Sequence, residues 1–411
     1  MVRAIHVFNH LPKLTSLSSI FLFSAFHLKH NRQVRHIVGQ QTSTMGFLRP
    51  VASFALASTC NKYGVFEVRN LARPLLSATC LRSQSDSTAT SSYSVHTSFD
   101  EEIINKYDAF ILDQFGVLHN GINALDGAIE LVDHLFKLNK KLIILSNTSA
   151  PASKALAKLP KFGFGSHCFQ DAVTSGEESS RYILQEYGSD PGNVKRALMF
   201  TWDASKPNNP RLTAPPEVYL EQCGNIQVAT SVQEADFLLF HGSEVWYRGS
   251  DKDAVSLAPF IEEGSFENID AVLSECQLMK IPAVCANPDF VVQTPSGDGV
   301  AYMPGKIAAQ YESLGGSCMT FGKPAVEHFE ACIRKLGLDK SRVAHVGDSL
   351  HHDISGAVKA GIPNIFVTSG IHKLQFGTNY GELPATDKLE DVMEEEGGSI
   401  RPTHVVPAFQ L

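Results

Sequence analysis

Short apolar runs that end in polar clusters constrain the fold of this chain more than any other feature. From Ile103 onward, runs typical of buried β-strands alternate with segments of helical periodicity, which predicts βαβ units and a parallel sheet. Because ligands bind beyond the carboxyl ends of parallel strands, neighbouring strands would bring these polar clusters to one pocket. The four runs are AFIL (109–112) before Asp113, LIIL (142–145) before Ser146 and Asn147, RVAHV (342–346) before Gly347 and Asp348, and NIFV (364–367) before Thr368, Ser369 and Gly370.

A helix is predicted within FGKPAVEHFEACIRKLG, residues 321–337. Its apolar residues recur at helical spacing and form one stripe that would face a core. The stripe consists of Val326, Phe329, Ile333 and Leu336. Pro324 suits the first turn, where its missing N–H costs nothing, and Gly337 is expected to end the helix. Lys323 would then precede a helix N-terminus, where a cation and backbone amides together attract an anion.

The first hundred residues have a different composition from the rest of the chain. No Asp or Glu precedes Glu67, whereas Lys, Arg and Ser are frequent, which is typical of an organellar transit peptide. The apolar run at 19–26 is far shorter than the ~20 residues of a membrane-spanning helix. A secretory signal is the alternative, weakened by the basic residues that follow this run. We expect a mitochondrial or plastid protein, with a slight preference for mitochondrion, whose start is Met1 or Met45.

Overall charge and cysteine content exclude some classes of protein. A net charge of -8 and a pI near 6.1 argue against a nucleic-acid scaffold, but leave a small-molecule enzyme and an interaction module both open. The eight cysteines include no C-x-x-C pair and no zinc-like spacing. We therefore expect reduced, mostly buried thiols and no disulfide framework.

Taken together, these motifs resemble the haloacid dehalogenase superfamily, whose members are mostly phosphatases. The resemblance rests on the order Asp113, Ser146, Lys323 and GDSLHHD (347–353) along the chain. Within the superfamily the match is to the class IIA branch, which inserts a large α/β cap between its second and third motifs. AVCANPDF (283–290), MPGKIAAQYESLGG (303–316) and GKP (322–324) also match that branch.

The resemblance implies an α/β fold, with a Rossmann-like parallel-sheet core and an inserted α/β cap. The expected boundaries are a transit peptide and flexible linker over 1–96, core over 97–180, cap over 181–283, and core again over 284–411.

The resemblance also implies an aspartyl-phosphate mechanism and a Mg²⁺ cofactor. Asp113 would be the nucleophile, and Ser146, the Asn147 amide and Lys323 would bind the phosphoryl group. The metal ligands would be Asp113, Asp348 and the backbone carbonyl of Phe115, with Asp353 holding the metal's water shell. The partner would be a small phosphorylated metabolite, with no nucleic acid and no membrane span. A homo-oligomer formed through the cap stays open.

Phe115 departs from the phosphatase pattern, which has an aspartate two residues after the nucleophile as acid and base. Without that carboxyl we expect a weak phosphatase that prefers good leaving groups. One alternative is a dehalogenase-like hydrolase, which carries an aromatic residue at this place; such enzymes need no metal, so the metal-binding pattern of Asp348 and Asp353 counts against it. The other is a catalytically weak protein that binds a phosphorylated ligand or a partner.

Several histidines have open roles. His351 and His352 beside Asp353 suggest a transition-metal cluster, but adjacent histidines on a loop would point apart, and hard oxygen ligands dominate the site. His119 could carry a proton near Asp113, although a surface or capping role is more common. His241, in the predicted cap, could meet substrate.

Overall fold

The computed structural model describes residues 93–206, 216–294 and 299–411, together with an isolated antiparallel pair, Thr59–Cys60 with Phe66–Glu67. The expected transit peptide and both candidate start sites lie outside the described residues, apart from that pair. The expected linker ends earlier than predicted, because Ser94–Val95 already pairs with another strand. The main fold therefore begins about three residues before the predicted start at 97.

The strands of this fold are numbered in chain order. They are β1 (Ser94–Val95), β2 (Ala109–Leu112), β3 (Lys141–Ser146), β4 (Asp171–Thr174), β5 (Lys195–Thr201), β6 (Ile226–Val228), β7 (Phe237–Phe240), β8 (Val245–Tyr247), β9 (Val255–Ser256), β10 (Ala283–Cys285), β11 (Val291–Gln293), β12 (Val300–Tyr302), β13 (Cys318–Thr320), β14 (Val343–Gly347), β15 (Asn364–Val367) and β16 (His404–Val406).

The helices are numbered in the same way. They are α1 (Glu101–Lys106), α2 (Ala128–Lys137), α3 (Ala152–Lys158), α4 (Ser175–Ile183), α5 (Pro216–Gln222), α6 (Ala258–Glu263), α7 (Asp270–Leu278), α8 (Pro304–Ser313), α9 (Val326–Leu336), α10 (Ser355–Ala360), α11 (Lys373–Phe376) and α12 (Thr386–Gly397).

A seven-stranded sheet forms the core, in the order β1-β16-β15-β14-β2-β3-β4, and every pairing in it is parallel. The predicted α/β fold with a parallel sheet is confirmed. All four polar-ended runs became strands, and they are neighbours in this sheet. Their polar clusters therefore meet at one edge, as the sequence predicts.

Both faces of the core sheet are buried, which explains why its strands are continuously apolar. Phe110 and Leu112 of β2 pack on one side with Leu131 of α2, whereas Ile111 packs on the other side with Phe329 of α9. A sheet covered by helices on both faces offers no solvated side on which polar residues could alternate. Polar residues are consequently concentrated at the strand ends.

Helix α9 begins later than predicted and ends where predicted. Val326 is its first residue, so Pro324 lies before the helix rather than in its first turn. Gly337 ends the helix in the left-handed conformation, with φ of 63°. Phe329 and Leu336 of the predicted stripe are fully buried, while Val326 and Ile333 are partly buried against the same core.

The second sheet contains strands on both sides of the predicted cap boundary. Its order is β9-β8-β5-β7-β10-β13, with β6 beside β5. Strands β10 and β13 pair in parallel with this sheet, so it extends to Thr320 rather than ending at residue 283. The physical reason is that helix α8 buries Ile307 and Tyr311 against this sheet, which ties the following strand to it. The β11–β12 hairpin lies within this extension.

The remaining sequence-based expectations concern thiols and the membrane. The six cysteines within residues 93–206, 216–294 and 299–411 are free, and five of them are buried, as predicted. Among the described residues, no helix combines the length and apolar character that crossing a membrane requires.

Candidate active site

Four charged side chains meet at the carboxyl edge of the core sheet, and we call them the carboxylate–lysine cluster: Asp113, Lys323, Asp348 and Asp353. Lys323 Nζ lies 2.7 Å from Asp113 Oδ1 and 2.7 Å from Asp353 Oδ1. One carboxylate oxygen from each of the three aspartates lies within 4.8 Å of the others. All four residues are buried. Residues from distant parts of the chain are thus brought into one small volume.

Asp113 and Asp348 are held by the ends of neighbouring strands. The Asp113 N–H donates to Val346 O at 2.9 Å, which continues the pairing of β2 with β14 beyond Leu112. Asp348 Oδ2 accepts the Ile371 N–H at 2.7 Å, from the loop after β15. A Cβ atom at Gly116 or at Gly370 would overlap the Asp348 carboxylate, so both loops need glycine to pack this closely.

Asp353 lies on a helical turn, Leu350–Ile354, and both of its oxygens already accept hydrogen bonds. Oδ1 accepts from Lys323 Nζ and, at 2.8 Å, from His345 Nε2, while Oδ2 accepts from the Ser349 N–H at 3.1 Å. His345 is fully buried in β14. Its contribution was not predicted from the sequence, although a lone histidine inside the apolar run RVAHV is a signal that a buried partner exists.

Burial and mutual repulsion set the protonation of the cluster. Burial raises the pKa of Asp113 to about 7, although Lys323 opposes the shift. Burial, with Asp113 nearby, also raises the pKa of Asp348 well above its ordinary value. Burial would raise the pKa of Asp353 too, but the charge of Lys323 and the His345 hydrogen bond outweigh it and lower that pKa. One lysine therefore does not balance three buried carboxyl groups.

The donor set of this cluster fits a divalent cation that prefers oxygen. Carboxylate oxygens are the ligands that Mg²⁺ takes in proteins, and Asp113 and Asp348 converge without a second positive side chain between them in the described part of the chain. Among the described residues, no group of three or more candidate ligands contains a histidine. The cluster therefore fits a hard cation rather than a metal that prefers histidine or cysteine ligands.

Ser146 and Asn147 lie at the end of β3, beside the cluster. Asn147 Oδ1 accepts the Lys323 N–H at 2.7 Å, and its Nδ2 donates to Lys323 O at 3.2 Å and to Asp289 Oδ1 at 2.8 Å. The side-chain amide of Asn147 is thereby occupied in holding the Lys323 and Asp289 loops. Any donation to a bound anion from this residue falls to its backbone N–H.

A cavity of about 160 Å³ lies above these strand ends, between core loops and the second sheet. Much of its wall is apolar, from Phe115 of the core and Val292, Trp202 and Met303 of the cap. Its remaining lining residues are Gln114, His119, Asn120, Gly121, Ser146, Thr148, Ser149, Ala150, Ala155, Lys158, Asn287, Asp289 and Gln293. The predicted site residues thus divide between the cluster and the cavity, with Ser146 lining the cavity.

Phe115 places an aromatic ring in the cavity wall. The ring packs edge-on against His119, with centroids 6.0 Å apart, and covers Gly121. His119 is buried rather than at the surface and stacks on Phe162 at 4.2 Å. Its Nδ1 accepts the Gly121 N–H at 3.2 Å, and burial lowers its pKa to about 3. His119 is therefore neutral at physiological pH.

The other predicted histidines lie outside the cavity lining. His241 is buried in the cap, where its Nδ1 is 2.8 Å from Thr201 Oγ1. His351 and His352 occupy the helical turn Leu350–Ile354 rather than a loop, with ring centroids 4.8 Å apart. Burial lowers the pKa of His352 to about 3.

Protein-family models match most of the described chain. Residues 110–204 match the haloacid dehalogenase-like hydrolase model, residues 220–361 match a second haloacid dehalogenase-like hydrolase model, and residues 320–410 match a HAD-hydrolase-like model. The chain is a haloacid dehalogenase-like hydrolase. The three matches run from β2 to the C-terminal strand and include every residue of the carboxylate–lysine cluster.

Solved structures share the fold of this haloacid dehalogenase-like hydrolase. A haloacid dehalogenase-like hydrolase from Brucella suis superposes with a TM-score of 0.56 at 22% identity, over 75% of this chain and 97% of that one. A possible sugar phosphatase from Cytophaga hutchinsonii gives 0.54 at 21% identity, over 78% and 99%. A p-nitrophenyl phosphatase from Archaeoglobus fulgidus gives 0.50 at 22% identity, over 74% and 97%.

Among curated proteins, the acid sugar phosphatase of Staphylococcus aureus is 24% identical over 293 residues. The similarity spans 71% of this chain and 97% of that relative.

Proposed function

We propose that this hydrolase is a phosphatase that cleaves a small organophosphate through a covalent aspartyl-phosphate at Asp113. The observation that carries the proposal is the position of Lys323 Nζ, 2.7 Å from both Asp113 and Asp353 at the strand ends. A nucleophilic carboxylate restrained beside a cation suits attack on an anionic ester. The names of the relatives, acid sugar phosphatase and p-nitrophenyl phosphatase, support phosphate esters as substrates.

In this mechanism Asp113 attacks phosphorus as the ester oxygen departs, and water then cleaves the aspartyl-phosphate. Lys323 neutralises the phosphoryl charge, while the Ser146 hydroxyl and the Asn147 backbone N–H donate to the phosphoryl oxygens. Such preorganised donors and positive charge are the main resources of phosphoryl-transfer catalysis. The tight fixing of Lys323 by two carboxylates means that little rearrangement accompanies the reaction.

The same proposal includes Mg²⁺, which would be held by Asp113, Asp348 and the backbone carbonyl of Phe115. Asp353 would hold the water shell of the metal. When bound, Mg²⁺ would supply positive charge to the transferring phosphoryl group. Asp353 suits the outer position because Lys323, His345 and the Ser349 amide already occupy its oxygens.

Phe115 is expected to limit turnover, because it offers no proton to the leaving oxygen and no base to the attacking water. Acid–base assistance of this kind is worth about 10²–10⁴ in rate. Esters with good leaving groups should therefore be preferred over alkyl phosphates. Phe115 also favours a second candidate function, a catalytically weak protein that binds a phosphorylated ligand or a partner and regulates it.

Hydrolysis of a panel of phosphate esters by the purified protein, with Mg²⁺ and with a chelator, tests the proposal. We expect Mg²⁺-dependent release of phosphate that Asp113→Asn abolishes, while Asp391→Asn on the exposed face of α12 leaves it unchanged. Binding of phosphate esters without turnover would favour the regulatory candidate. Turnover that survives in Asp113→Asn would contradict the mechanism.

We further propose import into an organelle with cleavage of the N-terminal region. The basis of this proposal is the acid-free, basic composition before Glu67. Mass spectrometry of the endogenous protein should find a mature N-terminus well after Met45. An endogenous protein that retains residues 1–40 would refute import by cleavage.

We also propose a homo-oligomer formed through the cap. Light scattering of the purified protein, and of a variant with a charge introduced at Met319 on the exposed edge of the cap sheet, tests this oligomer.

A further inference from the structure

Asp289 is the one carboxyl group among the described residues that line the cavity. It follows β10 in the stretch Asn287–Pro288–Asp289, and its side chain is 28% exposed. Its Oδ1 accepts a hydrogen bond from Asn147 Nδ2 at 2.8 Å. Asp289 therefore contacts a residue at the end of β3, where the phosphoryl group is proposed to bind. Asp289 lines the same cavity as Phe115 and Ser146, and it brings an ionisable carboxyl group to the space that a leaving group would enter.

The other polar groups around the cavity are poor sources of a proton. Phe115 has none to give. His119 is neutral, its Nδ1 accepts a backbone N–H, and its Nε2 is directed at Gln114 Oε1, 3.4 Å away. Lys323 is bound by two carboxylates in the cluster below. Lys158 also lines the cavity, and burial lowers its pKa, but Asp289 carries the one carboxyl group among the described lining residues.

We propose that Asp289 is a catalytic acid and base of this site, which supplies part of the function that Phe115 cannot perform. The inference rests on the proposed phosphatase function. As Asp113 forms its bond to phosphorus and the phosphorus–oxygen bond of the ester breaks, the Asp289 carboxyl gives its proton to the departing oxygen. The Asp289 carboxylate then takes a proton from the water that attacks the aspartyl-phosphate, which regenerates the acid and releases inorganic phosphate.

The groups that face Asp289 keep its carboxyl able to do both steps. Asn147 donates to it from the end of β3, and His352 Nδ1 lies 3.6 Å away on the turn after β14. Burial raises the pKa of Asp289 to about 6, with Asn147 and the charge of Lys323 opposing the rise and Asp353 adding to it. A carboxyl with a pKa near the working pH is both an available acid and an available base.

Asp289→Asn separates a proton-transfer role from a merely structural one. Asparagine has nearly the same size, and its Oδ1 can still accept from Asn147, so a positioning role should survive the substitution. The readout is the pre-steady-state rate of protein phosphorylation with p-nitrophenyl phosphate, whose leaving group needs no proton, and with an alkyl phosphate, whose leaving group does.

We expect Asp289→Asn to slow phosphorylation by the alkyl ester at least about 10-fold and to leave the aryl burst within about twofold. In the unmodified protein the ratio of alkyl to aryl rates should fall as pH rises above about 6, because the acid loses its proton, and the variant should lose this dependence. Asp391→Asn, on the exposed surface of α12, is the matched control.

Equal effects on both esters, or none, would overturn the role of Asp289 and leave the phosphatase proposal intact. Absence of phosphorylation with either ester in the unmodified protein would instead refute the proposed function on which the inference rests. If Asp289→Asn proves unstable, the pH dependence of the rate ratio in the unmodified protein decides alone: a flat ratio between pH 5 and pH 8 contradicts the inference.

Discussion

The carboxylate–lysine cluster and the cavity above it are built on opposite principles. In the cluster, Lys323 contacts two carboxylates at 2.7 Å, and the Asp353 oxygens are fully engaged. In the cavity, Phe115, Trp202 and Met303 make much of the wall apolar. Asp113 and Asp348 of the cluster follow strands of the core sheet, whereas the cavity is lined by core loops together with residues of the cap.

This difference separates two tasks of a phosphoryl-transfer enzyme. In the proposed mechanism, the cluster would organise charge for a phosphate group and a cation. The cavity would receive the rest of the ester, and Phe115 offers no proton to the leaving oxygen. Such a chain would keep the groups for attack on phosphorus, while the departure of poor leaving groups would depend on a carboxyl elsewhere, which in our inference is Asp289.

The strongest test of the cluster is removal of its cation by Lys323→Met. We expect turnover to fall about 10²–10³-fold, because the phosphoryl charge loses its fixed positive partner. The free energy of unfolding in urea should fall by about 3 kcal/mol without Mg²⁺, because buried carboxylates are left unpaired.

The control for this substitution is Lys335→Met, which removes an exposed lysine paired with Asp171. Its free energy of unfolding should change by less than about 1 kcal/mol. Equal stability losses in the two variants would contradict the view that Lys323 offsets part of the negative charge of the cluster.

Asp348→Asn tests whether the cluster binds Mg²⁺. Removing one negative oxygen ligand should weaken Mg²⁺ binding at least about 10-fold, measured by calorimetry, with turnover falling in parallel. The change preserves side-chain size, which matters because Gly116 and Gly370 pack directly on this carboxylate. Unchanged Mg²⁺ affinity would remove Asp348 from the metal site.

On the cavity side, Phe115→Asp should add a carboxyl group two residues after Asp113. We expect turnover of an alkyl phosphate to rise about 10-fold, and that of p-nitrophenyl phosphate to rise less, because only the alkoxide needs a proton to leave. The matched control is Phe115→Asn, which has the same size as aspartate but no proton to transfer. A rate that rises equally in both variants would mean that the ring only obstructs the cavity.

The core strands and the polar residues at their ends were predictable from the sequence, for a physical reason. Strands buried on both faces are mostly apolar, so the polar residues after AFIL, LIIL, RVAHV and NIFV mark the strand ends to within about one residue. Their convergence followed from the parallel sheet, and the structure confirms that these strands are neighbours. The chemical roles of the converging residues are still predictions.

The cap was less predictable than the core, because its boundaries depend on the pairing of strands that are far apart in sequence. Nothing local in Ala283–Cys285 or Cys318–Thr320 tells which of the two sheets will receive the strand, and both strands joined the second sheet. The burial of His119 depends similarly on its stacking with Phe162 from a distant turn. Asp289 entered the sequence analysis only as part of a motif, since its contact with Asn147 spans 142 residues.

The most direct test of the central claim is the time course of a single mixing experiment with p-nitrophenyl phosphate and Mg²⁺. The cluster should allow Asp113 to attack phosphorus, whereas the activation of water for the second step should be poorly assisted. Nitrophenolate should therefore appear in a burst approaching one equivalent per chain, followed by slow turnover. Acid-quenched protein should carry phosphate on Asp113, and Asp113→Asn should show neither burst nor label. Linear product release with no phosphorylated protein, or label that persists in Asp113→Asn, would contradict the account.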